Sequence, residues 1–270
     1  MMNVGENLQN MFSLEGRTVV FTGAAGGIGS AVAAGMARAG ARIALCDINQ
    51  EQLEQVRKSI TEEGGQASCH RLDVTNKERI QECVDAVVQQ YGSIDILVNC
   101  AGINKREGFM DVTEETYDRI MEINLKGVFL VTQAVAPYMK RQKKGSIINI
   151  GSHNTGSILG GCSVYGATKC GVLSMTRSMA VEWAKYNIRA NCVSPGHIQT
   201  PLTVPTWEHP GRSRYLLERI ALNRPGLPED ITGICILLAS DASAYITGTE
   251  IRVDGGCIAG GQPWDYDTAF

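Results

Sequence analysis

Short apolar runs alternating with stretches of helical periodicity constrain this chain more than any other feature. Thr18–Thr22, Arg42–Asp47, Ala67–Asp73, Ile94–Asn99, Ser146–Ile150, Arg189–Ser194 and Thr249–Val253 read as buried strands. Between them Ile28–Ala39, Gln50–Glu63, Asn76–Tyr91, Glu114–Met139, Gly166–Tyr186 and Pro228–Ser240 read as helices. A short strand that is apolar on both sides must be covered on both faces. The alternation therefore predicts an α/β fold: a doubly wound parallel sheet with helices on both faces and right-handed crossovers. The 270 residues suit one such domain. Its expected span is 14–256, between an N-terminal tail over 1–13, read as flexible or partner-docked, and a C-terminal extension over 257–270. Only Pro201–Arg224 breaks the rhythm; with Pro205, Trp207, His209, Pro210 and Gly211 it reads as a substrate lid.

Charge and composition exclude several function classes. The net charge of −3 offers no basic field to nucleic acid. No apolar run approaches the roughly 18 residues of a membrane span, so no membrane partner is expected. Met1–Asn10 has neither a cationic start nor an apolar stretch, unlike a secretory signal. The nine cysteines are scattered, form no Cys-x-x-Cys pair and do not cluster with the four histidines. Free, largely buried thiols in a reducing cytoplasm and no metal site are the expectation.

The first strand runs into Gly23-Ala24-Ala25-Gly26-Gly27-Ile28-Gly29 and then a helix. Gly23, Gly27 and Gly29 permit a tight turn and let a pyrophosphate approach the N–H groups of a helix N-terminus. The second strand ends at Asp47, where a carboxylate accepts both ribose hydroxyls of NAD and repels a 2′-phosphate. NAD(H) is thus the expected cofactor.

Tyr165 and Lys169 lie one helical turn apart, with Ser152 upstream. Together they supply a phenol, an ammonium and a hydroxyl to one carbonyl oxygen. An alcohol does not release a proton unaided at neutral pH, and a phenol of pKa ~10 is a poor base until a cation stabilises its phenolate. Lys169 supplies that charge, Tyr165 moves the proton, and Ser152 orients the oxygen.

These motifs, in this order from about Leu14 to Gly256, resemble the classical short-chain dehydrogenase/reductase family. The resemblance implies a Rossmann fold, a nicotinamide cofactor and a homodimer or homotetramer. It assigns Asp73 and Val74 to the adenine, and Asn99, Ala101 and Gly102 to the cofactor floor, with Cys100 where members carry asparagine. It also assigns Tyr165 and Lys169 to the nicotinamide ribose, and Pro195, Gly196, Ile198 and Thr200 to the nicotinamide side. Asn124 joins Ser152, Tyr165 and Lys169 as the fourth catalytic position, holding a water beside the lysine; Gly151 replaces a more usual serine.

Ala101–Arg106 resembles members acting on sugar acids, such as gluconate 5-dehydrogenases and 2-keto-3-deoxygluconate dehydrogenases, and Ala180–Ala184 recurs there and in polyol dehydrogenases. Asn104, Arg106, His153, His197 and Trp207 are the candidate substrate residues, polar enough for a small sugar, sugar acid or polyol. A 3-oxoacyl-[acyl-carrier-protein] reductase, a hydroxysteroid dehydrogenase and a non-catalytic NAD-binding regulator stand as alternatives. Ile120, Ile123, Val128, Phe129 and Val131, with Val172, Leu173, Met175, Met179 and Trp183, give two helices more apolar surface than a sheet covers, which predicts a helical subunit interface. Trp264, Tyr266 and Phe270 are expected to dock the tail on a neighbouring subunit.

Overall fold

The computed structural model describes residues 4–261. Seven parallel strands form one sheet in the order β3-β2-β1-β4-β5-β6-β7. They are β1 (Thr18–Thr22), β2 (Arg42–Asp47), β3 (Gln66–Arg71), β4 (Ile96–Asn99), β5 (Gly145–Ile150), β6 (Ile188–Pro195) and β7 (Glu250–Val253). Side chains alternate across the sheet. Val19, Phe21, Ile43, Leu45, Ile96 and Val98 enter one core with α2 (Gly27–Arg38), α3 (Gln50–Glu62) and α10 (Thr232–Ala239). Val20, Ala44, Leu97 and Ile147 enter the other, with α4 (Lys77–Tyr91), α6 (Gly127–Gln142) and α7 (Ser163–Trp183). A strand buried on both faces has no polar side to show, which is why the runs read as continuously apolar.

The chain winds outward from β1 in both directions, so the strand order reverses between β1 and β4. Loops leaving the carboxyl ends of these two strands diverge and leave a crevice, where open α/β sheets bind ligands.

Several boundaries differ from the sequence expectation. The expected N-terminal tail contains a helix, α1 (Val4–Phe12), packed beside the turn at Asp241–Ser243. The expected Glu114–Met139 helix is α5 (Glu114–Met121), a π-turn over Glu122–Lys126, and α6. Thr113 caps α5 by accepting from the Thr116 N–H. The helix at Pro228 opens as a 3-10 turn, Pro228–Ile231, before α10. Asn76 caps α4, its Oδ1 accepting from the Arg79 N–H at 2.9 Å. The expected lid holds two short helices, α8 (Val204–Glu208) and α9 (Pro210–Leu217).

Much of the apolar surplus on the two long helices is consumed within the subunit. Ile120, Val128, Val131, Val172, Leu173 and Met179 are buried, whereas Phe129 stays half exposed. Trp264, Tyr266 and Phe270 lie outside the described residues. All nine cysteines are free thiols, Cys46 and Cys83 with their Sγ atoms 3.7 Å apart. Among the described residues no helix is long and apolar enough to cross a membrane, and no group of three or more His, Cys, Asp or Glu side chains is placed to hold a metal.

Candidate active site

A cleft of about 520 Å³ opens over the carboxyl ends of β1, β4, β5 and β6. One end is built by the glycine turn. Gly23 takes φ +72°, and a Cβ there would lie 2.6 Å from the Ala101 nitrogen. The β1 and β4 loops therefore touch, and only glycine lets them. A Cβ on Gly29 would meet the Gly23 carbonyl oxygen at 2.0 Å. Thr22 locks the same junction: its Oγ1 accepts from the Cys100 N–H at 3.2 Å. No side chain caps the N-terminus of the 12-residue α2, so its first N–H groups are left for an anion.

Asp47 faces this turn. Its Oδ2 accepts from the Ala25 N–H at 3.2 Å and its Oδ1 from the Asn49 N–H at 3.0 Å. Each carboxylate oxygen keeps a lone pair for a further donor. Asp73 accepts from the Thr75 N–H and Oγ1, and these bonds hold its carboxyl below the usual range. The glycine turn and the uncapped helix fit the pyrophosphate of a nicotinamide dinucleotide.

At the other end stand the acid–base candidates. Tyr165 and Lys169 occupy the first turns of α7. The Lys169 Nζ donates to the Ile150 carbonyl at 2.7 Å and sits 5.5 Å from the centre of the Tyr165 ring. Lys169 is buried, and the Ile150 bond uses one of its three donors. The Ser152 Oγ accepts from the Asn154 N–H at 3.2 Å, leaving its own proton free to donate.

Gly23, Gly27, Ile28, Gly29, Asp47, Asp73, Val74, Ala101, Gly102, Ser152, Tyr165, Lys169, Pro195, Gly196, Ile198 and Thr200 all line the one cleft. So do Asn104, Arg106, His153, His197 and the lid residue Trp207. Two expected site residues do not. Asn99 lies beneath the floor, donating to Thr132 Oγ1 at 2.9 Å and to Asn149 Oδ1 at 2.8 Å. Its side chain ties β4 to β5 and α6, because a buried amide must find partners. Asn124 is fully buried in the π-turn, and its amide is spent on the Ile103 backbone and Thr168.

Sequence reasoning missed other contributors. Asn149 sits inside β5 and passes the amide chain on to Thr176 Oγ1 at 2.8 Å; a polar residue in an otherwise apolar strand was the signal. Thr203 ties the lid to the loop that leaves β6 by accepting from the Thr200 N–H and donating to the Ile198 carbonyl, both at 2.8 Å. Leu216 brings α9 onto the cleft. No local sequence pattern marks these two.

Residues 23–257 match the family described as enoyl-(acyl carrier protein) reductase. With the fold and the cleft, this defines the chain as a member of the short-chain dehydrogenase/reductase family of nicotinamide-dependent oxidoreductases. The 3-oxoacyl-[acyl-carrier-protein] reductase FabG of Thermotoga maritima is 43% identical over 248 residues, 91% of this chain and 99% of that protein. The 2-dehydro-3-deoxy-D-gluconate 5-dehydrogenase of Escherichia coli is 41% identical over 253 residues, 92% of this chain and 98% of the relative. A gluconate 5-dehydrogenase from Burkholderia cenocepacia, solved in complex with NADP and tartrate, superimposes with a TM-score of 0.90 at 35% identity, covering 93% of this chain and 99% of its own.

Proposed function

We propose that this protein is an NAD(H)-dependent oxidoreductase that interconverts a secondary alcohol and a ketone on a small polyhydroxy substrate, a sugar, sugar acid or polyol. The observation that carries this reading is the convergence of Ser152, Tyr165 and Lys169 on one end of a cleft whose other end holds Asp47 and the uncapped α2.

Gly23, Gly27, Ile28 and Gly29 would cradle the pyrophosphate, Asp47 the adenosine ribose, and Asp73 with Val74 the adenine. Ala101, Gly102, Pro195, Gly196, Ile198 and Thr200 would enclose the nicotinamide half. Bound there, the cofactor supplies or accepts the hydride. Ser152 donates its free proton to the substrate oxygen and fixes it beside the Tyr165 hydroxyl. Tyr165 gives that oxygen a proton in reduction and takes one in oxidation. The Lys169 ammonium, held by the Ile150 carbonyl, stabilises the phenolate that results. Asn124 has its amide committed to Ile103, so it acts by shaping the wall beside Lys169.

Polar groups at the substrate end support the substrate class: Asn104, Arg106, His153 and His197 line it together with Trp207. The Arg106 guanidinium suits a carboxylate. The enzymes named for gluconate derivatives among the relatives support a sugar acid in particular. A 3-oxoacyl-[acyl-carrier-protein] reductase is the second reading, favoured by the 43% identity to FabG. NAD over NADP rests on Asp47, and the NADP complex of the Burkholderia relative makes this the point to test first. A homodimer or homotetramer remains part of the proposal, with the half-exposed Phe129 of α6 as an interface candidate.

The test is NADH consumption over a panel of keto sugar acids, ketoses, 3-oxoacyl thioesters and steroid ketones. Turnover concentrated on the polyhydroxy ketones is the expected outcome. Preference for the thioesters would replace this reading with the second.

A further inference from the structure

One side-chain pair in the cleft is not accounted for by the hydride chemistry. His153 and His197 stack edge-on, ring centres 4.4 Å apart at 60°. His153 is only 6% exposed, yet neither of its ring nitrogens hydrogen-bonds any described residue. A buried polar group without a partner is costly, and such groups mark places where a ligand completes the bonding.

The scaffold fixes the backbone at both histidines. His153 opens the 3-10 turn His153–Thr155, which Ser152 caps. Thr155 closes the turn, its N–H donating to the Ser152 carbonyl at 3.0 Å and its hydroxyl to the Glu250 carboxylate. Glu250 is held in turn by Ser194 Oγ at 2.7 Å. His197 is pinned by its neighbours: the Gly196 N–H donates to the Val253 carbonyl at 2.9 Å, and the His197 carbonyl accepts from the Gly226 N–H at 3.0 Å.

The charge state follows from the surroundings. Burial, the other imidazole, Arg106 and Arg219 push His197 down to about 4, with Asp254 opposing. Burial and Arg252 also lower His153 against Asp254. Both rings are neutral near neutral pH, so each offers one donor and one acceptor. That set complements a hydroxyl, which donates and accepts at once. A methylene or a hydrocarbon chain satisfies neither.

We propose that His153 and His197 are specificity-determining residues that jointly read a hydroxyl on the substrate carbon chain beyond the reacting carbonyl. This inference rests on the proposed reading of the enzyme as a reductase of small polyhydroxy ketones. His153 directly follows Ser152, which orients the reacting oxygen, so the hydroxyl it reads lies close to the reacting carbon. A site built to bond a hydroxyl rejects the analogue lacking it strongly, because its own groups are then left unpaired.

The experiment compares kcat/KM for a linear polyhydroxy keto acid with that for its monodeoxy analogues, each lacking one hydroxyl. The wild type should lose about 10²-fold or more on one analogue near the carbonyl. His153→Phe and His197→Phe keep a ring of similar size and remove the nitrogens. Each should lose most of that discrimination, chiefly by losing activity on the parent. His153→Gln, which keeps a donor and an acceptor, should restore part of it. NADH binding, followed by fluorescence, reports whether each variant retains the cofactor site. Uniform wild-type rates across the analogues, or equal losses on parent and analogue in the variants, overturn the hydroxyl-reading role alone. Wild-type turnover of thioesters with none of any polyhydroxy ketone overturns the substrate class and this inference together.

Discussion

Asn124 pairs with the backbone of Ile103 as a strand neighbour would: its Oδ1 accepts from the Ile103 N–H and its Nδ2 donates to the Ile103 carbonyl, both at 2.8 Å. The π-turn Glu122–Lys126 makes this possible by setting one residue out of the α-helical repeat. The loop after β4 is thereby tied to α5 and α6 just where it passes Lys169; a Cβ on Gly102 would lie 3.3 Å from the Asn124 Oδ1 and 3.8 Å from the Lys169 Nζ.

Asn124→Leu fills a similar volume but leaves both Ile103 groups unpaired. It should cost about 2–6 kcal/mol of stability, from two unsatisfied backbone groups of ~1–3 kcal/mol each. Denaturant unfolding measures this. A stability change within about 0.5 kcal/mol, the range of an ordinary surface substitution, would mean that the pairing is incidental.

Tyr165→Phe removes the phenol while leaving the ring packed. NADH affinity should fall by no more than the loss of one ribose hydrogen bond, and turnover should fall about 10²–10⁴-fold, the usual worth of positioned acid–base catalysis. Stopped-flow binding combined with steady-state rates separates the two effects. Retention of a tenth or more of the wild-type kcat would deny Tyr165 the proton-transfer role.

Lys169→Met keeps a long apolar stem and removes the ammonium. The Ile150 carbonyl loses its 2.7 Å donor and Tyr165 its neighbouring charge. Turnover should therefore drop with that of Tyr165→Phe, and NADH affinity should fall further than in the tyrosine variant. Unchanged NADH affinity would confine Lys169 to the tyrosine.

The difference between what the sequence reveals and what it hides has a physical basis. Strands such as Thr18–Thr22 are legible because burial on both faces leaves a continuous apolar run. The glycine turn is legible because the loops approach so closely that a Cβ at Gly23 would lie 2.6 Å from the Ala101 nitrogen. The roles of Asn99 and Asn124 are not legible, because an asparagine beneath the floor and one on the surface of a cleft look alike until their partners are known. Asn99 bonds residues 33 and 50 positions away. The His153–His197 contact joins the loops that leave the neighbouring strands β5 and β6, and neither segment shows the other's presence.

Cofactor preference turns on a neighbour that only the sheet register identifies. Arg71 ends β3 directly opposite Asp47 of β2. Partners in register project to the same side of a sheet. On the proposed reading Arg71 is thus a cation on the same side of the sheet as Asp47, able to attract a 2′-phosphate once the carboxylate is removed. With the carboxylate present, kcat/KM should favour NADH over NADPH. Asp47→Ser should narrow or reverse the ratio, and adding Arg71→Ala should take back the gain in NADPH use. An NADPH preference in the wild type would overturn the assignment of Asp47. A double variant equal to the single one would remove Arg71 from the account.

The buried His153 and the partly buried His197 also set a pH dependence for folding. His197 is pushed down to about 4 from its ordinary 6.5, chiefly by burial, and His153 is lowered for the same reason. A base with a depressed folded pKa is neutral in the fold while its unfolded counterpart takes up a proton. Stability from this source is complete above about pH 6.5 and is lost progressively as the pH falls toward 4, because the unfolded chain binds more protons across that window. Carboxylates with lowered values, Asp73, Asp230 and Asp241, act below it: their contribution is present above the ordinary 3.8 and lost as the pH falls further. The two sources therefore separate on the pH axis. Denaturant unfolding between pH 4 and 8 should show wild-type stability falling below pH 6.5, with His197 alone contributing on the order of 1–3 kcal/mol. His197→Phe cannot titrate, so the difference between wild type and variant should be constant above pH 6.5 and move in the variant's favour below it. A difference independent of pH across the whole range would show that His197 takes up its proton as readily folded as unfolded, contrary to its burial against His153.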